Sequence, residues 1–143
     1  MLAQKELFFF TFLFCVFELS VSVQAQKNKC DNIERLLDAI AAVESCNKAE
    51  AIGDKGLAIG TYQIHRDYWE DGTRFLGVSW DYQKAFDREK SRKVVKAYLL
   101  YYGKDKDLIE MARIHNGGPK GYMKKSTLSY ARKIKRIIHQ KQQ

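Results

Sequence analysis

Glu44 is the residue whose type and position most clearly suggest chemistry. The apolar residues before it recur at helical spacing: Ile33, Leu36, Leu37, Ile40 and Ala41. This spacing places Glu44 on the apolar side of a helix, close to its C-terminal end. Because burial disfavours a charged carboxylate, we expect a raised pKa for Glu44, as a general acid requires. On helical position alone, the simpler interpretation is a boundary glutamate whose carboxylate reaches solvent.

Asp54 is the second acidic candidate, and it lies in the glycine-rich stretch 51–64. Two short apolar segments flank its Asp-Lys-Gly sequence, which predicts a small β-hairpin or an ordered loop. The aspartate is then either an ordinary turn residue or a second carboxylate of a site. Asp71, which follows Tyr68 and Trp69, is the reserve candidate.

The remaining elements are predicted to be helical. Asp31 with Glu34 three residues later predicts the N-cap of the Glu44 helix. Tyr68 and Trp69 fall in a short irregular or helical turn. Further helices are expected over about 81–102, over 108–114 and from about residue 126. The fold class is therefore α+β: mostly helical, with one small β-hairpin and a substrate cleft.

The first residues have the layout of an export signal. Lys5 precedes an apolar run from Leu7 to Phe17, and small or β-branched residues end the segment at Ala25. This pattern predicts a signal peptide over residues 1–25, a mature domain over residues 26–143 and secretion to the extracellular space. An uncleaved membrane anchor is the alternative, but the run is only half of the ~20 apolar residues that a span needs.

Cysteine usage is consistent with export. Cys15 would leave with the signal peptide, so Cys30 and Cys46 remain. An even pair in an exported chain suggests one disulfide, with two free thiols as the alternative. Two cysteines are too few for a disulfide framework or a closed zinc site. The sequence has no phosphate loop, dinucleotide fingerprint or metal-ligand cluster, so no cofactor is expected.

Charge is concentrated at the C-terminal end. Positive and negative residues cancel over 26–110, whereas nine basic and no acidic residues follow: Arg113, Lys120, Lys124, Lys125, Arg132, Lys133, Lys135, Arg136 and Lys141. A basic face predicts attraction to polyanions such as wall polymers, anionic membranes or nucleic acid. Charge alone does not choose among them, and a solvated helix face is the simpler alternative.

Four short motifs occur in a recognisable order. They are Val-Glu-Ser at 43–45, Gly-Asp-Lys-Gly at 53–56, Gly-Thr-Tyr-Gln-Ile at 60–64 and Ala-Arg-Ile-His-Asn-Gly-Gly-Pro at 112–119. Together they resemble the lysozyme superfamily, above all the invertebrate-type lysozymes that include destabilase. Goose-type lysozymes and lytic transglycosylases are more distantly similar. The resemblance covers roughly residues 30–138, and the usual disulfide-rich pattern of the invertebrate type is absent.

The resemblance implies roles for individual residues. Glu44 matches the catalytic acid, Asp54 approximately matches the second carboxylate, and Tyr130 matches an aromatic residue that supports the acid or fills the core. Five residues are expected to contact substrate: Tyr62, Gln63, His115, Asn116 and Gly117. Ser45 and His115 would also be needed for isopeptidase activity, but nothing in the sequence shows that they meet.

The expected protein is a secreted, monomeric lysozyme that cleaves peptidoglycan in antibacterial defence or bacterial digestion. Its basic C-terminal region would bind anionic wall polymers, and no nucleic-acid partner is expected. A non-catalytic protein that binds the bacterial wall or chitin is one alternative, although such a protein has no need to keep Glu44. A membrane-active cationic protein that acts through its last helix is another, but the apolar stripe of that helix is more simply explained as core.

Overall fold

The computed structural model describes residues 23–24, 27–28 and 31–140. The chain divides into two compact units, Met1–Asn32 and Ile33–Gln143. In the first unit the described residues are helical, and the Gln24 side chain donates to Asn28 Oδ1 at 3.0 Å. The predicted signal peptide and its cleavage point at Ala25 lie almost entirely outside the described residues, as does Cys30.

The second unit consists of five helices, several 3₁₀ turns and one hairpin, counted over its described residues. Residues 31–45 are helical, and the part of this helix in the second unit, residues 33–45, is called α1. The other elements are β1 (Ile52–Gly53), β2 (Ala58–Ile59), α2 (Arg66–Leu76), α3 (Arg88–Tyr102), α4 (Leu108–Gly117) and α5 (Leu128–Gln140). The two strands are antiparallel, with Ile52 opposite Ile59. The predicted α+β class is confirmed.

The apolar stripe of α1 forms the centre of the core. Leu36, Leu37 and Ile40 have no exposed surface and pack with residues of every other helix. On the polar side of α1, Glu34 accepts hydrogen bonds from Arg92 at 2.6 Å and from Lys96 at 2.6 Å. Asp38 accepts from the same Arg92 guanidinium at 2.8 Å. Glu34 therefore links α1 to α3. Asp31 lies within the helix and not before its first turn, so the predicted capping box is wrong.

The hairpin is held to the helices by a close backbone approach. Gly60 follows β2 with φ of +77°, and a Cβ there would lie 2.1 Å from the Ala85 carbonyl oxygen. Only glycine fits both the left-handed conformation and the contact. After this turn the chain pairs back on itself, with Ile59 and Ile64 exchanging backbone hydrogen bonds at 3.2 and 3.0 Å.

The helices differ from the predicted boundaries where aspartates interrupt them. The helix expected over 81–102 is divided, because the Asp87 side chain accepts from the Lys90 N–H and caps a new helix, α3. The preceding residues Tyr82–Phe86 form a 3₁₀ turn. The turn expected around Tyr68 and Trp69 is instead the eleven-residue helix α2.

The last helix is amphipathic, and its apolar side is part of the core. Tyr130, Ala131 and Ile134 are buried, and α5 packs against α4. The charged residues between them, such as Lys133, are exposed. The apolar stripe is therefore occupied in the folded chain, as the core interpretation predicts. Among the described residues, no helix combines the length and the apolar character needed to span a bilayer.

Candidate functional site

Glu44 lies near the C-terminal end of α1 with 19% of its side chain exposed. The helix ends immediately afterwards, because Cys46 and Asn47 adopt left-handed conformations with φ of 53° and 65°. Glu44 Oε1 lies 3.5 Å from Nε2 of His115 on α4. The predicted buried glutamate beside a cleft is therefore present, and its nearest charged partner is a histidine.

The pKa of Glu44 differs from the expectation. Burial raises the pKa of its carboxyl, but a hydrogen bond and charge attraction from His115 act in the opposite direction. The Tyr130 hydroxyl and the charge of Lys133 also lower this pKa. The net result is a pKa below the ordinary value, so the predicted raised pKa is wrong. The sequence indicated the burial but could not show the polar groups that meet the carboxylate.

His115 is positioned by an aromatic pair. Its side chain is only 4% exposed, and Nδ1 lies 3.1 Å from the Tyr68 hydroxyl. The Tyr68 ring is stacked on Tyr98 with centroids 3.6 Å apart. Burial raises the pKa of Tyr68 well above its ordinary value, so its hydroxyl remains protonated. The other ring nitrogen of His115, Nε2, faces Glu44.

Tyr130 also faces Glu44. Its hydroxyl is buried and has no hydrogen-bond partner of good geometry among the described residues. It is nevertheless close enough to lower the pKa of the Glu44 carboxyl. Burial and the negative charge of Glu44 raise the pKa of Tyr130 well above its ordinary value. Tyr130 therefore keeps its proton and is a donor reserved for the acid, which agrees with the supporting role that the resemblance implies.

Asp54 lies on the 3₁₀ turn between β1 and β2. Asp54 and Lys55 both adopt left-handed conformations, with φ of 48° and 56°. Such conformations are costly for residues other than glycine and tend to occur at functional sites. Asp54 Oδ2 lies 3.1 Å from Nε2 of His65, the residue that precedes α2. The turn thus holds an exposed carboxylate in a defined position.

These side chains meet in one cleft of about 520 Å³. It is lined by Glu44, Asp54, Ala58, Gln63, His65, Asp67, Tyr68, Asp71, Tyr98, His115, Asn116, Gly118 and Pro119. The structure thus brings both predicted carboxylates, Glu44 and Asp54, to the same cleft. Three predicted contact residues, Gln63, His115 and Asn116, lie there with them. The lining contains no lysine or arginine, although the whole chain has a net charge of +8.

Gln63 lines the cleft, but its amide mainly stabilises the hairpin. Its Nε2 donates to the carbonyl oxygens of Ala51 at 3.2 Å and Gly60 at 3.0 Å. Gly117 is beside the lining residues Gly118 and Pro119, and its carbonyl oxygen accepts from Lys124 Nζ at 2.6 Å. Gln63 is thus part of the wall of the cleft, whereas Gly117 is not among its lining residues, and the expected contact of Gly117 with substrate is not supported.

The structure contradicts the expected contact of Tyr62 with substrate. Its side chain has no exposed surface, and its hydroxyl accepts a hydrogen bond from Arg92 at 3.1 Å. A completely buried ring cannot contact a sugar, so Tyr62 belongs to the core instead of the cleft. The aromatic residues that do line the cleft are Tyr68 and Tyr98. Tyr68 belongs to a motif that the sequence singled out, but only the packing of α2 on α3 shows that it reaches the site.

Ser45 and His115 form hydrogen bonds with other residues and not with each other. Its hydroxyl donates to the Thr61 carbonyl oxygen at 2.8 Å, and the His115 nitrogens face Glu44 and Tyr68. This arrangement supports acid chemistry at Glu44 more than a serine–histidine pair. Cys46 is exposed, and because Cys30 lies outside the described residues, the disulfide between them stays a prediction.

Known proteins provide an independent comparison. A family model described as Destabilase matches residues 33–137. A lysozyme of Ostrea edulis is 40% identical over 85 residues, which are 57% of this chain and 61% of that protein. A lysozyme of Magallana gigas is 39% identical over 52% of this chain and 56% of its own length. The matched region thus spans less than two thirds of these two relatives.

Other similarities extend further. A lysozyme of Meretrix lusoria is 34% identical over 109 residues, which are 73% of this chain and 88% of that protein. The crystal structure of Aeromonas hydrophila PliI in complex with Meretrix lusoria lysozyme contains a similar chain. That match has a TM-score of 0.61 and 34% identity, and it covers 72% of this chain and 88% of the other.

Proposed function

Because this chain belongs to the Destabilase family, we propose that it is a secreted lysozyme, a peptidoglycan hydrolase that cleaves the β-1,4 bond between N-acetylmuramic acid and N-acetylglucosamine. The observation that carries the proposal is the buried Glu44 carboxyl, which lines a cleft that also contains Asp54. Glycoside hydrolysis uses two carboxylates of this kind. One protonates the leaving oxygen, and the other acts at the anomeric carbon as nucleophile or as base for water.

Glu44 is the proton donor in this mechanism. Its lowered pKa means that it must gain a proton before it can act. Burial already raises this pKa, and a bound glycan would expel water and strengthen that effect. Asp54 then either stabilises the positive charge on the sugar while water attacks the anomeric carbon, or attacks that carbon itself to form a glycosyl-enzyme that water hydrolyses.

Secretion and an antibacterial role follow from the same proposal. A wall polymer lies outside the bacterial cell, so an enzyme that attacks it must be exported, as residues 1–25 predict. The exposed basic side chains of α5 would attract anionic wall polymers. The protein would act as a monomer, since one chain provides both carboxylates.

A clearing assay tests the proposal. Purified protein is added to a suspension of bacterial walls from about pH 4 to about pH 8 at low salt, because general acid catalysis depends on pH. We expect turbidity to fall, and Asp54→Asn to slow the loss. Binding to the walls without clearing at any pH would contradict hydrolysis and identify a wall-binding protein instead.

A further inference from the structure

A second concave surface lies between α2 and α3. This groove of about 500 Å³ is lined by Phe75, Leu76, Lys93, Lys96, Ala97, Leu100 and Tyr101. Three large apolar side chains remain exposed there: Leu76 by 37%, Leu100 by 39% and Tyr101 by 62%. Clustered exposed apolar residues are unfavourable in water and commonly mark binding surfaces.

The aromatic residues of this groove form a rigid platform. The Tyr101 ring is stacked on Phe75 with centroids 3.9 Å apart and an interplanar angle of 13°. Tyr102 contacts both rings edge-on, at 5.4 Å from Phe75 and 5.1 Å from Tyr101. Since Tyr101 is already held in place, a ligand that stacks on it loses little side-chain entropy.

The groove is connected to the cleft through Tyr102. Its hydroxyl donates to Asp71 Oδ2 at 2.8 Å, and Asp71 lines the cleft. Its ring lies 4.7 Å from Tyr98, which also lines the cleft. Tyr102 thus contacts lining residues of both surfaces, so the groove lies next to the cleft.

We propose that this groove is a second binding site for the glycan strand of the polymeric substrate, outside the cleft that cleaves it. The apolar C–H face of a pyranose ring would stack on Tyr101, and acetamido methyl groups would pack against Leu76 and Leu100. This inference rests on the proposed function, because the occupant is the same polymer. The site would hold the enzyme on an insoluble wall between cleavage events.

Charge favours a glycan over a lipid surface as the occupant. Lys96 is paired with Glu34, and Arg74, beside the groove, is paired with Asp71. Lys93 forms no ion pair with any residue that the structure describes. One uncompensated lysine contributes only about 1 kcal/mol to binding an anionic membrane, whereas the exposed aromatic ring offers a stacking surface to a neutral sugar.

The test measures wall binding without cleavage, in the Glu44→Gln background. Sedimentation with insoluble peptidoglycan is carried out at roughly 1 M salt, where the Debye length of about 3 Å screens the basic helix. Tyr101→Ala should raise the Kd on the order of tenfold, whereas Tyr101→Phe, which keeps the ring, should not. Leu128→Ala, an exposed apolar residue of α5, is the matched control and should bind like the parent. Unchanged binding by Tyr101→Ala would overturn the proposal.

A second measurement separates this proposal from the catalytic one. In the Glu44 parent, Tyr101→Ala should lower the cleavage of insoluble walls several-fold and leave the cleavage of a short soluble N-acetylglucosamine oligomer unchanged. An equal loss on both substrates would overturn the second site. Failure of the parent to cleave either substrate would reject the proposed hydrolysis, while the sedimentation result would still stand.

Two further controls complete the experiment. Leu100→Ser tests the same groove without removing the aromatic stack, and it should also weaken sedimentation if the groove holds glycan. Vesicles of phosphatidylglycerol and phosphatidylcholine test the lipid alternative. If Tyr101→Ala weakens vesicle binding and leaves glycan binding unchanged, the groove is a lipid surface and the proposal is wrong.

Discussion

At the scale of single residues, the function depends on opposing influences on the Glu44 carboxyl. Burial favours its neutral form, while His115, Tyr130 and Lys133 favour its charged form. The lowered pKa implies that the free enzyme is most active under acidic conditions, where the donor carries its proton. Binding of substrate extends activity to higher pH only as far as the glycan strengthens the effect of burial.

Lys133→Gln tests this balance without a change in the cleft. Lys133 lies exposed on α5 and lowers the pKa of Glu44 through its charge. Removing the charge raises that pKa, so the protonated donor persists to higher pH. We expect the alkaline limb of kcat/KM against pH to shift upward. Lys135→Gln, an exposed lysine on the same helix, is the control, and equal shifts in both variants would contradict a specific effect on Glu44.

The sequence predicted Glu44, Asp54, His115 and Asn116 as site residues, and all four line the cleft. Their motifs could be matched because they combine unusual residue types with glycine-rich turns. Tyr62 was misassigned because it adjoins Gln63, and neighbouring residues on an irregular turn can point to opposite sides. The partners His65 and Tyr68 come from the start of α2 and the residue before it, and the sequence underestimated the length of this helix. Their approach to the carboxylates depends on tertiary packing.

At the scale of elements, polar contacts join α1 to α3 behind the cleft. The hydrogen bond from Lys96 has the largest effect on the pKa of Glu34 and lowers it; burial raises this pKa, and the hydrogen bond and charge of Arg92 lower it further. The apolar stripe of α1 was readable from its helical period, but this cross-helix pairing was not. No local pattern relates residues more than fifty positions apart, so Glu34 resembled a capping residue in the sequence.

Glu34→Gln tests the contribution of this pairing to stability. In the folded chain the pKa of Glu34 lies below its ordinary value of 4.5. The pairing therefore stabilises the fold fully above that pH, and this contribution is lost as the pH falls through the folded pKa. We expect the parent's melting temperature to fall on acidification below about pH 4.5, and Glu34→Gln to show a shallower decline. The prediction would be contradicted if the melting temperatures of the parent and of Glu34→Gln fell equally on acidification.

Gly60→Ala tests how the hairpin is attached to the helices. The added methyl group would meet the Ala85 carbonyl oxygen at 2.1 Å in a left-handed conformation. We expect a loss of about 2–4 kcal/mol in the free energy of unfolding, measured by chemical denaturation. Gly77→Ala has a similar φ of +68° but open space around it, so it should lose only about 1 kcal/mol. Equal losses would show that the close contact is unimportant.

At the scale of the whole molecule, the basic residues lie outside the cleft that contains the proposed catalytic carboxylates. The cleft lining has four carboxylates and no lysine or arginine, whereas the exposed residues of α5 are strongly basic. The α+β class and the family resemblance were both predictable, because they depend on periodicity and on ordered motifs. The groove between α2 and α3 was not, because its residues form no motif and meet only when the two helices pack.

The basic helix predicts salt-sensitive attraction to the wall. Because exposed charges are screened at short distances in concentrated salt, affinity of the parent for anionic walls should fall as salt is added. Replacing Arg132, Lys135 and Arg136 together with glutamine should remove most of this salt dependence. Sedimentation with purified walls measures both effects, and binding that is insensitive to salt in the parent would contradict a role for the basic face.

The central claim is that Glu44 donates the proton that breaks the glycosidic bond. The most direct measurement is the rate at which Glu44→Gln releases reducing ends from purified peptidoglycan, compared with the parent at the parent's optimal pH. General acid catalysis predicts a loss of about 100-fold or more in kcat with the fold and wall binding intact. A Glu44→Gln variant that cleaves as fast as the parent would contradict the account.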